Sequence, residues 1–120
     1  MLPEWPLRTF AVLVTVDESP YAIPVSAPVR AGDRRIVLGL HRSRGSLARL
    51  RAQAQVALTV LTAGNIAFTA LGRARVFEEP LAGTTEYVGV AIDVEQIADH
   101  RHEAFVVESG IDRRWLDRDE

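Results

Sequence analysis

The side chains in this sequence best suited to chemistry are arginines, concentrated in the stretch HRSRGSLARLR over residues 41–51. The stretch contains four of them: Arg42, Arg44, Arg49 and Arg51. The whole chain carries a formal net charge of −2, so this cluster does not reflect a generally basic composition. Guanidinium groups donate forked hydrogen bonds that suit phosphate oxygens, and Ser43, Gly45 and Ser46 are small enough to let an anion approach the backbone. The pattern indicates an anion site.

The position of the stretch along the chain supports the same interpretation. Apolar residues at positions 47, 50 and 54 follow the i, i+3, i+7 spacing, which predicts a helix over residues 46–53 with Ser46 or Ser43 as its N-cap. Free N–H groups and the positive end of the helix dipole favour an anion at such a start. A solvated turn followed by a helix with arginines on its outer face explains the composition equally well, and the two later arginines fit that alternative best.

A second candidate site lies in the alternating run YAIPVSAPV. Pro24, Ser26 and Pro28 fall on one face, and because proline cannot donate to a sheet ladder, they predict an edge strand or an irregular one. The small side chains of this face leave a shallow groove in which a planar ligand could contact the backbone. Prolines that protect an exposed edge against aggregation explain the pattern equally well.

The remaining polar candidates are weaker. His41 borders the arginine stretch and is placed either to hydrogen-bond a ligand or to face solvent. His100 and His102 are separated by one residue, but no thiol or carboxylate in register accompanies them, which favours a solvated loop over a metal site. Arg73 and Arg75 alternate along one strand and are expected to face water or a second subunit.

Composition excludes several classes of protein. The 120 residues suffice for one domain over residues 1–120. There is no cysteine, which excludes thiol catalysis and fits a cytoplasmic location. The acidic balance argues against nucleic-acid binding, and no apolar run reaches the roughly 20 residues of a membrane helix. No catalytic triad, paired-carboxylate or phosphate-loop pattern is present, which is compatible with chemistry carried by a bound cofactor.

The elements that must position these residues are predicted to be mainly strands. Runs of β-branched and apolar residues bounded by turn residues predict six of them, over residues 9–16, 21–29, 35–40, 56–62, 66–77 and 87–94. The first two are predicted to form a hairpin, and Gly72 predicts a bulge in the fifth. A short helix is predicted over residues 112–116, with Trp115 docked on the sheet. Such a chain favours a closed or partly closed antiparallel barrel.

Three segments, taken in order, resemble a known family. They are VTVDESPYAIPVSAPV, RRIVLGLHRSRGSLARLRAQAQVALTVL and IAFTALGRARVFEEP. Over residues 7–95 the chain is similar to the pyridoxamine 5′-phosphate oxidase-like FMN-binding split barrels, and its tail VESGIDRRWLD resembles the end of small members of that family. The resemblance implies a mainly β, six-stranded antiparallel split barrel with one or two short helices, which forms a homodimer.

The same resemblance implies a flavin nucleotide in the groove between two subunits, either FMN or a deazaflavin. The phosphate would be held by the loop and helix start after the third strand, at His41, Arg42, Ser43, Arg44 and Ser46. The isoalloxazine ring would be lined by Pro24, Val25 and Ser26. The implied activity is transfer of electrons or hydride to a small organic substrate, with the redox chemistry supplied by the cofactor.

One departure from the family pattern concerns the phosphate site. Members usually carry a basic pair at the start of the helix, and the corresponding positions here are Gly45 and Ser46. The positive charge is either shifted to Arg42 and Arg44 or lost. Two further interpretations therefore stay open, namely a deazaflavin-dependent reductase on the same fold and a dimer that binds a ligand without any cofactor. Haem binding through His41 is another alternative.

Overall fold

The computed structural model describes residues 1–114 and residue 116. Its elements are β1 (Ala11–Asp17), β2 (Ser19–Val25), β3 (Val29–Arg30), β4 (Arg35–His41), α1 (Gly45–Ala52), β5 (Gln55–Thr62), β6 (Ile66–Glu78) and β7 (Tyr87–Asp99). The strands form one antiparallel sheet in the order β2–β1–β5–β6–β7–β4–β3. The sheet curls into a half-barrel, so that β2 approaches β4 across the gap. Two strands that are consecutive along the chain, β2 and β3, therefore lie at opposite edges.

Five of the six predicted strands are confirmed, but the count is wrong, because the structure has seven strands rather than six. The run over residues 21–29 does not form one strand: β2 stops at Val25, and β3 begins at Val29 on the other edge. Pro28, in the connection, is fully buried, and its carbonyl accepts a hydrogen bond from Trp5 Nε1 at 2.9 Å. Since Pro28 has no N–H to donate, the ladder cannot continue through it.

The alternating face expected over this run is correspondingly wrong beyond residue 26. Pro28 is buried whereas Pro24 is exposed, so the two prolines do not share one face. The edge position of β2, which its prolines indicated, is confirmed, as is the β1–β2 hairpin.

Alternate residues of the strands fill the inside of the curl. Leu13 lies opposite Leu58, and Leu58 opposite Ala70, so that β1, β5 and β6 contribute one continuous row to the core. On the other side of the curl Ile36 pairs with Ile92, and both are fully buried. Burial of each such leucine or isoleucine side chain contributes about 1.5–3 kcal/mol to stability.

The outside of the same strands carries apolar side chains that remain partly exposed. Five of them form what we call the outer apolar face: Val12, Val14, Val16, Ala57 and Leu71. Cross-strand pairing makes the face continuous, because Val14 lies opposite Ala57 and Ala57 lies opposite Leu71.

The predicted irregularity at Gly72 is confirmed as a register shift between Leu71 and Gly72. A Cβ atom at Gly72 would lie 2.1 Å from the carbonyl oxygen of Asp93 on β7. Only glycine allows the two backbones to approach so closely. Beyond this bulge the pairing continues, so that β7 runs to Asp99 rather than ending at residue 94 as predicted.

Helix α1 confirms the predicted helix, and its leucines at positions 47 and 50 are buried in the core. The prediction of a serine cap is wrong. Arg44 occupies the N-cap position in extended conformation, and no side chain caps the helix. Ser43 lies one residue too early, with its hydroxyl 2.8 Å from His41 Nδ1, and Ser46 lies inside the first turn. In the described part of the chain, no helix has the length and apolarity needed to cross a bilayer.

The chain after β7 returns along the sheet without regular structure. Asn65 and Val107 are joined by two hydrogen bonds, from Asn65 N to Val107 O at 3.0 Å and from Val107 N to Asn65 Oδ1 at 2.9 Å. Residues 112–114 are not helical, so the predicted short helix is wrong over these residues, and Trp115 lies outside the described residues. Further along the tail, Arg113 donates to the Arg8 and Ser26 carbonyls, so hydrogen bonds join the tail to three other parts of the chain.

Candidate functional site

A cavity of about 190 Å³ opens where the end of β2 approaches the end of β4. Five of the predicted site residues line it: Pro24, Val25, Ser26, His41 and Arg44. The other lining residues are Phe10, Gly39, Leu40 and Tyr87. The curl of the sheet explains this convergence, because it brings the first edge of the sheet to the strand pair β4–β7. Residues predicted from two separate stretches of sequence therefore share one cavity.

The residues of the cavity wall at the end of β2 differ in burial and in the groups they present. Val25 points inward and is only 4% exposed, whereas Pro24 points outward and lies opposite Val12 of the outer apolar face. Ser26 follows the last ladder pair, and its carbonyl accepts a hydrogen bond from Arg113 Nη2 at 2.9 Å. The wall thus offers small side chains and backbone groups, which suit contact with one face of a planar ring.

His41 is held in one orientation at the end of β4. The Ser43 amide donates to His41 Nδ1 at 3.2 Å, and the Ser43 hydroxyl lies beside the same nitrogen. Because Nδ1 accepts the amide hydrogen, the proton of the neutral ring resides on Nε2, which lies 3.3 Å from a Glu86 carboxylate oxygen. The ring also packs edge-on against Tyr87, with centroids 5.4 Å apart. Both ring nitrogens are engaged within the chain, which disfavours haem ligation by His41 and makes Ser43 a residue that orients it.

The two later arginines of the stretch are engaged with neighbouring elements. Arg49 Nε donates to Thr15 Oγ1 at 2.9 Å, and its guanidinium lies 4.1 Å from the centroid of the Tyr21 ring. Arg51 pairs with Glu79, with 2.8 Å between nitrogen and oxygen. These contacts attach α1 to the sheet and to the segment after β6, which fits a structural role.

The two earlier arginines both precede the first residue of α1 and differ from the later pair. In the part of the chain that the structure describes, neither Arg42 nor Arg44 forms an ion pair with a carboxylate. Arg44 lines the cavity. Arg42 lies instead in a separate depression with Glu79 and Thr85, on another side of Tyr87. The structure therefore brings Arg44, but not the Arg42 side chain, into the predicted site.

The start of α1 has no side-chain cap. Ser46 is 1% exposed, and its Oγ has no hydrogen-bond partner among the described residues. The first turn contains no acidic residue. A buried polar atom without a partner calls for an explanation such as a bound ligand, and the positive end of the helix dipole attracts anions. Arg44 lines the cavity, whereas Ser46 is buried two residues further along the chain and does not line it.

Four residues of this cavity were not predicted from the sequence: Phe10, Gly39, Leu40 and Tyr87. Tyr87 enters because β4 pairs with β7, a long-range pairing that no local pattern reveals. Gly39 does carry a signal, because a glycine inside an apolar strand often marks the close approach of another group. A Cβ atom at Gly39 would lie 3.4 Å from a methyl carbon of Leu81. Phe10 precedes β1 and has no distinguishing pattern.

The other two histidines take part in local contacts. His100 Nε2 lies 2.7 Å from Thr69 Oγ1, and the His102 ring accepts a hydrogen bond from the Ala104 amide. Across residues 1–114 and 116, no group of three His, Asp or Glu side chains is arranged to hold a metal ion.

The strand arginine Arg75 forms part of an ion-pair network on the outside of the sheet. Its Nε donates to Asp93 Oδ2 at 3.0 Å, while Arg35 Nε donates to Asp93 Oδ1 at 2.9 Å. The hydrogen bond from Arg75, followed by that from Arg35, lowers the pKa of the Asp93 carboxyl below its ordinary value of 3.8. None of the three residues lines the cavity, so the network joins β4, β7 and β6 and serves stability.

The chain is similar to known proteins in structure rather than in sequence. No protein-family model matches the sequence, and no curated protein matches it. Among solved structures, a candidate pyridoxamine 5′-phosphate oxidase from Lactobacillus delbrueckii matches with a TM-score of 0.65 and 19% identity, over 74% of this chain and 83% of the other.

Two further solved structures are similar to this chain. A FAD-binding protein from Mesorhizobium loti matches with a TM-score of 0.62 and 16% identity, over 75% of this chain and 83% of the other. An F420 reductase matches with a TM-score of 0.63 and 13% identity, over 78% of this chain and 92% of the other. At these identities the similarity concerns the fold, and the chain has the split-barrel fold that its sequence led us to expect.

Proposed function

We propose that this chain binds FMN in the cavity described above and that the bound flavin transfers electrons or hydride to a small organic substrate. The observation that carries the proposal is the convergence of residues 24–26 with Arg44 at the uncapped start of α1. A wall suited to a planar ring and an arginine suited to a phosphate line the same cavity, as a flavin nucleotide requires. Fold similarity to a FAD-binding protein and an F420 reductase supports the same class of cofactor.

Each part of the site has a defined task in this proposal. Bound FMN would supply the hydride and electron transfer. Arg44 would hold the phosphate through forked hydrogen bonds, and the positive end of the α1 dipole would attract it. Residues 24–26 would lie against the ring and exclude water from that face. His41 Nε2 lies beside Glu86, at the edge of the same cavity.

A homodimer completes the proposal. The cavity of one chain measures about 190 Å³, whereas pockets that enclose a cofactor-sized ligand measure about 300–1,000 Å³. Pro24 lines the cavity and also lies opposite Val12 of the outer apolar face. A second copy seated on that face would therefore reach the mouth of the cavity and enlarge the site. Symmetric pairing of identical chains is the commonest way to cover such a face.

A deazaflavin is the second candidate cofactor. Gly45 and Ser46 leave the helix start without the usual basic pair, and an F420 reductase is among the similar structures. The absorption spectrum of protein purified without added cofactor separates the candidates. FMN gives two bands in the near-ultraviolet and blue, and a deazaflavin gives one main band near the violet edge. If neither appears, even after soaking with each cofactor, a cofactor-free ligand-binding dimer replaces the proposal.

The phosphate contact is tested by fluorescence titration with FMN and with riboflavin, which lacks the phosphate. Arg44→Ala should weaken FMN binding by about 1.5–3 kcal/mol, roughly ten- to a hundredfold, because a charge-assisted hydrogen bond is lost in a partly dehydrated site. Riboflavin affinity should stay the same. Arg42→Ala should cost less, since that side chain lies outside the cavity and acts by screened attraction.

Arg51→Ala is the matched control, because Arg51 is on the same helix and pairs with Glu79. It should leave both affinities unchanged. The phosphate site would be wrong if the parent protein bound FMN and riboflavin equally well. It would also be wrong if all three arginine variants lost FMN affinity by the same small factor.

A further inference from the structure

The C-terminal segment brings an arginine to the back of the candidate cavity. Arg113 Nη2 donates to the Ser26 carbonyl at 2.9 Å, and Nη1 donates to the Arg8 carbonyl at 2.8 Å. The same guanidinium lies 4.7 Å from the centroid of the Phe10 ring. Ser26 and Phe10 both line the cavity. One side chain, 87 residues from Ser26 along the chain, therefore contacts two parts of the cavity wall.

These contacts occur where the sheet gives the wall least support. The ladder between β1 and β2 ends at the pair Ala11–Val25, so Phe10 and Ser26 lie just beyond it. The guanidinium binds the carbonyl of one and faces the ring of the other, which fixes the two residues relative to each other. Charge-assisted hydrogen bonds and cation–π contacts are strong enough to define such a geometry.

The opposite end of the same connection is held in a similar way. Trp5 Nε1 donates to the Pro28 carbonyl at 2.9 Å. Residues 26–28 thus have their first and last carbonyls bound by side chains from the two terminal segments. Side chains, in place of ladder bonds, set the position of this part of the wall.

We propose that Arg113 is a positioning residue of the candidate cofactor site, which holds the Ser26 carbonyl and the Phe10 ring where they form the wall. Arg113 is not itself among the residues that line the described cavity, so it acts through these two neighbours. That the wall contacts a flavin ring rests on the proposed function. That Arg113 fixes the position of Ser26 and Phe10 does not depend on it.

The first test compares FMN and riboflavin affinities, measured well below the thermal midpoint of each variant. Arg113→Ala should weaken both ligands by the same factor, about five- to tenfold, because the wall contacts the ring that the two share. This result differs from that expected for Arg44→Ala, which weakens FMN alone. Arg113→Lys retains a cation and should recover part of the loss. Arg114→Ala removes an exposed arginine one residue later and should change neither affinity.

A second test needs no flavin. Amide hydrogen exchange over residues 9–11 and 25–27 should be faster in Arg113→Ala than in the parent, and unchanged in Arg114→Ala. If the parent binds neither flavin, the proposed function fails, and exchange alone decides whether Arg113 holds the wall. Unchanged exchange in Arg113→Ala would overturn the positioning role. Loss of FMN affinity without loss of riboflavin affinity would overturn it as well, because Arg113 would then act on the phosphate.

Discussion

Arg44 and Arg49 carry the same charge on the two sides of the first turn of α1, and their neighbours give them different roles. Arg49 is bound by Thr15 and covered by Tyr21, whereas Arg44 faces a cavity without an ion-pair partner among the described residues. At the scale of residues, tertiary contacts therefore determine which arginine side chain can bind a ligand. The sequence predicted that the arginine stretch divides into an earlier and a later pair, but it placed Arg42 with Arg44.

The Asp93 network yields a prediction about pH at the same scale. Asp93→Asn should lower the free energy of unfolding by about 0.5–1 kcal/mol at pH 7, a small effect because solvent screens a carboxylate that is 43% exposed. The folded pKa lies below 3.8, so this stabilisation is present above that pH and is lost as the pH falls through the folded value. Urea unfolding of parent and variant should therefore converge in acid.

Glu95→Gln is the control for this pH series. Glu95 is an exposed carboxylate two residues further along β7 and forms no ion pair within the described residues. Its substitution should leave the unfolding curve nearly unchanged at every pH. A difference between Asp93→Asn and the parent that persisted undiminished in acid would show that the network does not stabilise through charge.

At the scale of elements, the close approach of β6 and β7 depends on one glycine. Gly72→Ala should lower the free energy of unfolding by about 2–4 kcal/mol, because its Cβ atom would lie 2.1 Å from a backbone oxygen that cannot move without breaking the ladder. Denaturant unfolding measures the loss. Gly39→Ala is the matched strand glycine, and its Cβ atom would make an ordinary 3.4 Å contact with Leu81. That variant should change stability by less than about 1 kcal/mol, and equal losses in both would contradict the argument.

The local sequence pattern was sufficient to predict most helices and strands. It failed where contacts with residues distant along the chain determine the local structure. Alternation and apolar runs predicted the long strands, the hairpin and α1, because an element that buries one face has apolar residues at regular spacing. The connection between β2 and β3 is held at Pro28 by a hydrogen bond from Trp5, which spacing does not reveal. The missing cap on α1 has a similar origin, since the serine expected to provide it is bound to His41 instead.

At the scale of the whole molecule, the outer apolar face predicts self-association. Leu71→Glu places a charge at the end of the row Val14–Ala57–Leu71 and should convert a homodimer into a monomer, as measured by sedimentation at micromolar concentration. Val106→Glu adds the same charge at another exposed apolar residue, which is 62% accessible, and should leave the dimer intact. A parent protein that sediments as a monomer would remove the partner on which the proposed site depends.

Only some residues of the candidate site could be predicted from the sequence, because others reach it through contacts between distant segments. Residues 24–26 and Arg44 were identified from local chemistry and from a family resemblance. Tyr87 and Arg113 join the site through pairing and packing between distant segments, so only the folded chain shows them there.

The order of strands in the sheet also has a consequence for folding kinetics. β1 with β2, and β5 with β6, are hairpins between neighbours along the chain, whereas β4 with β7 joins residues such as Gly39 and Gly89. Closing long loops is entropically costly, so such pairs form late. The cavity contains residues from both kinds of pairing, which means that it does not exist until the slow pairing is complete. During refolding, capture of a ligand in this cavity would therefore report the last event, after most of the secondary structure has already formed.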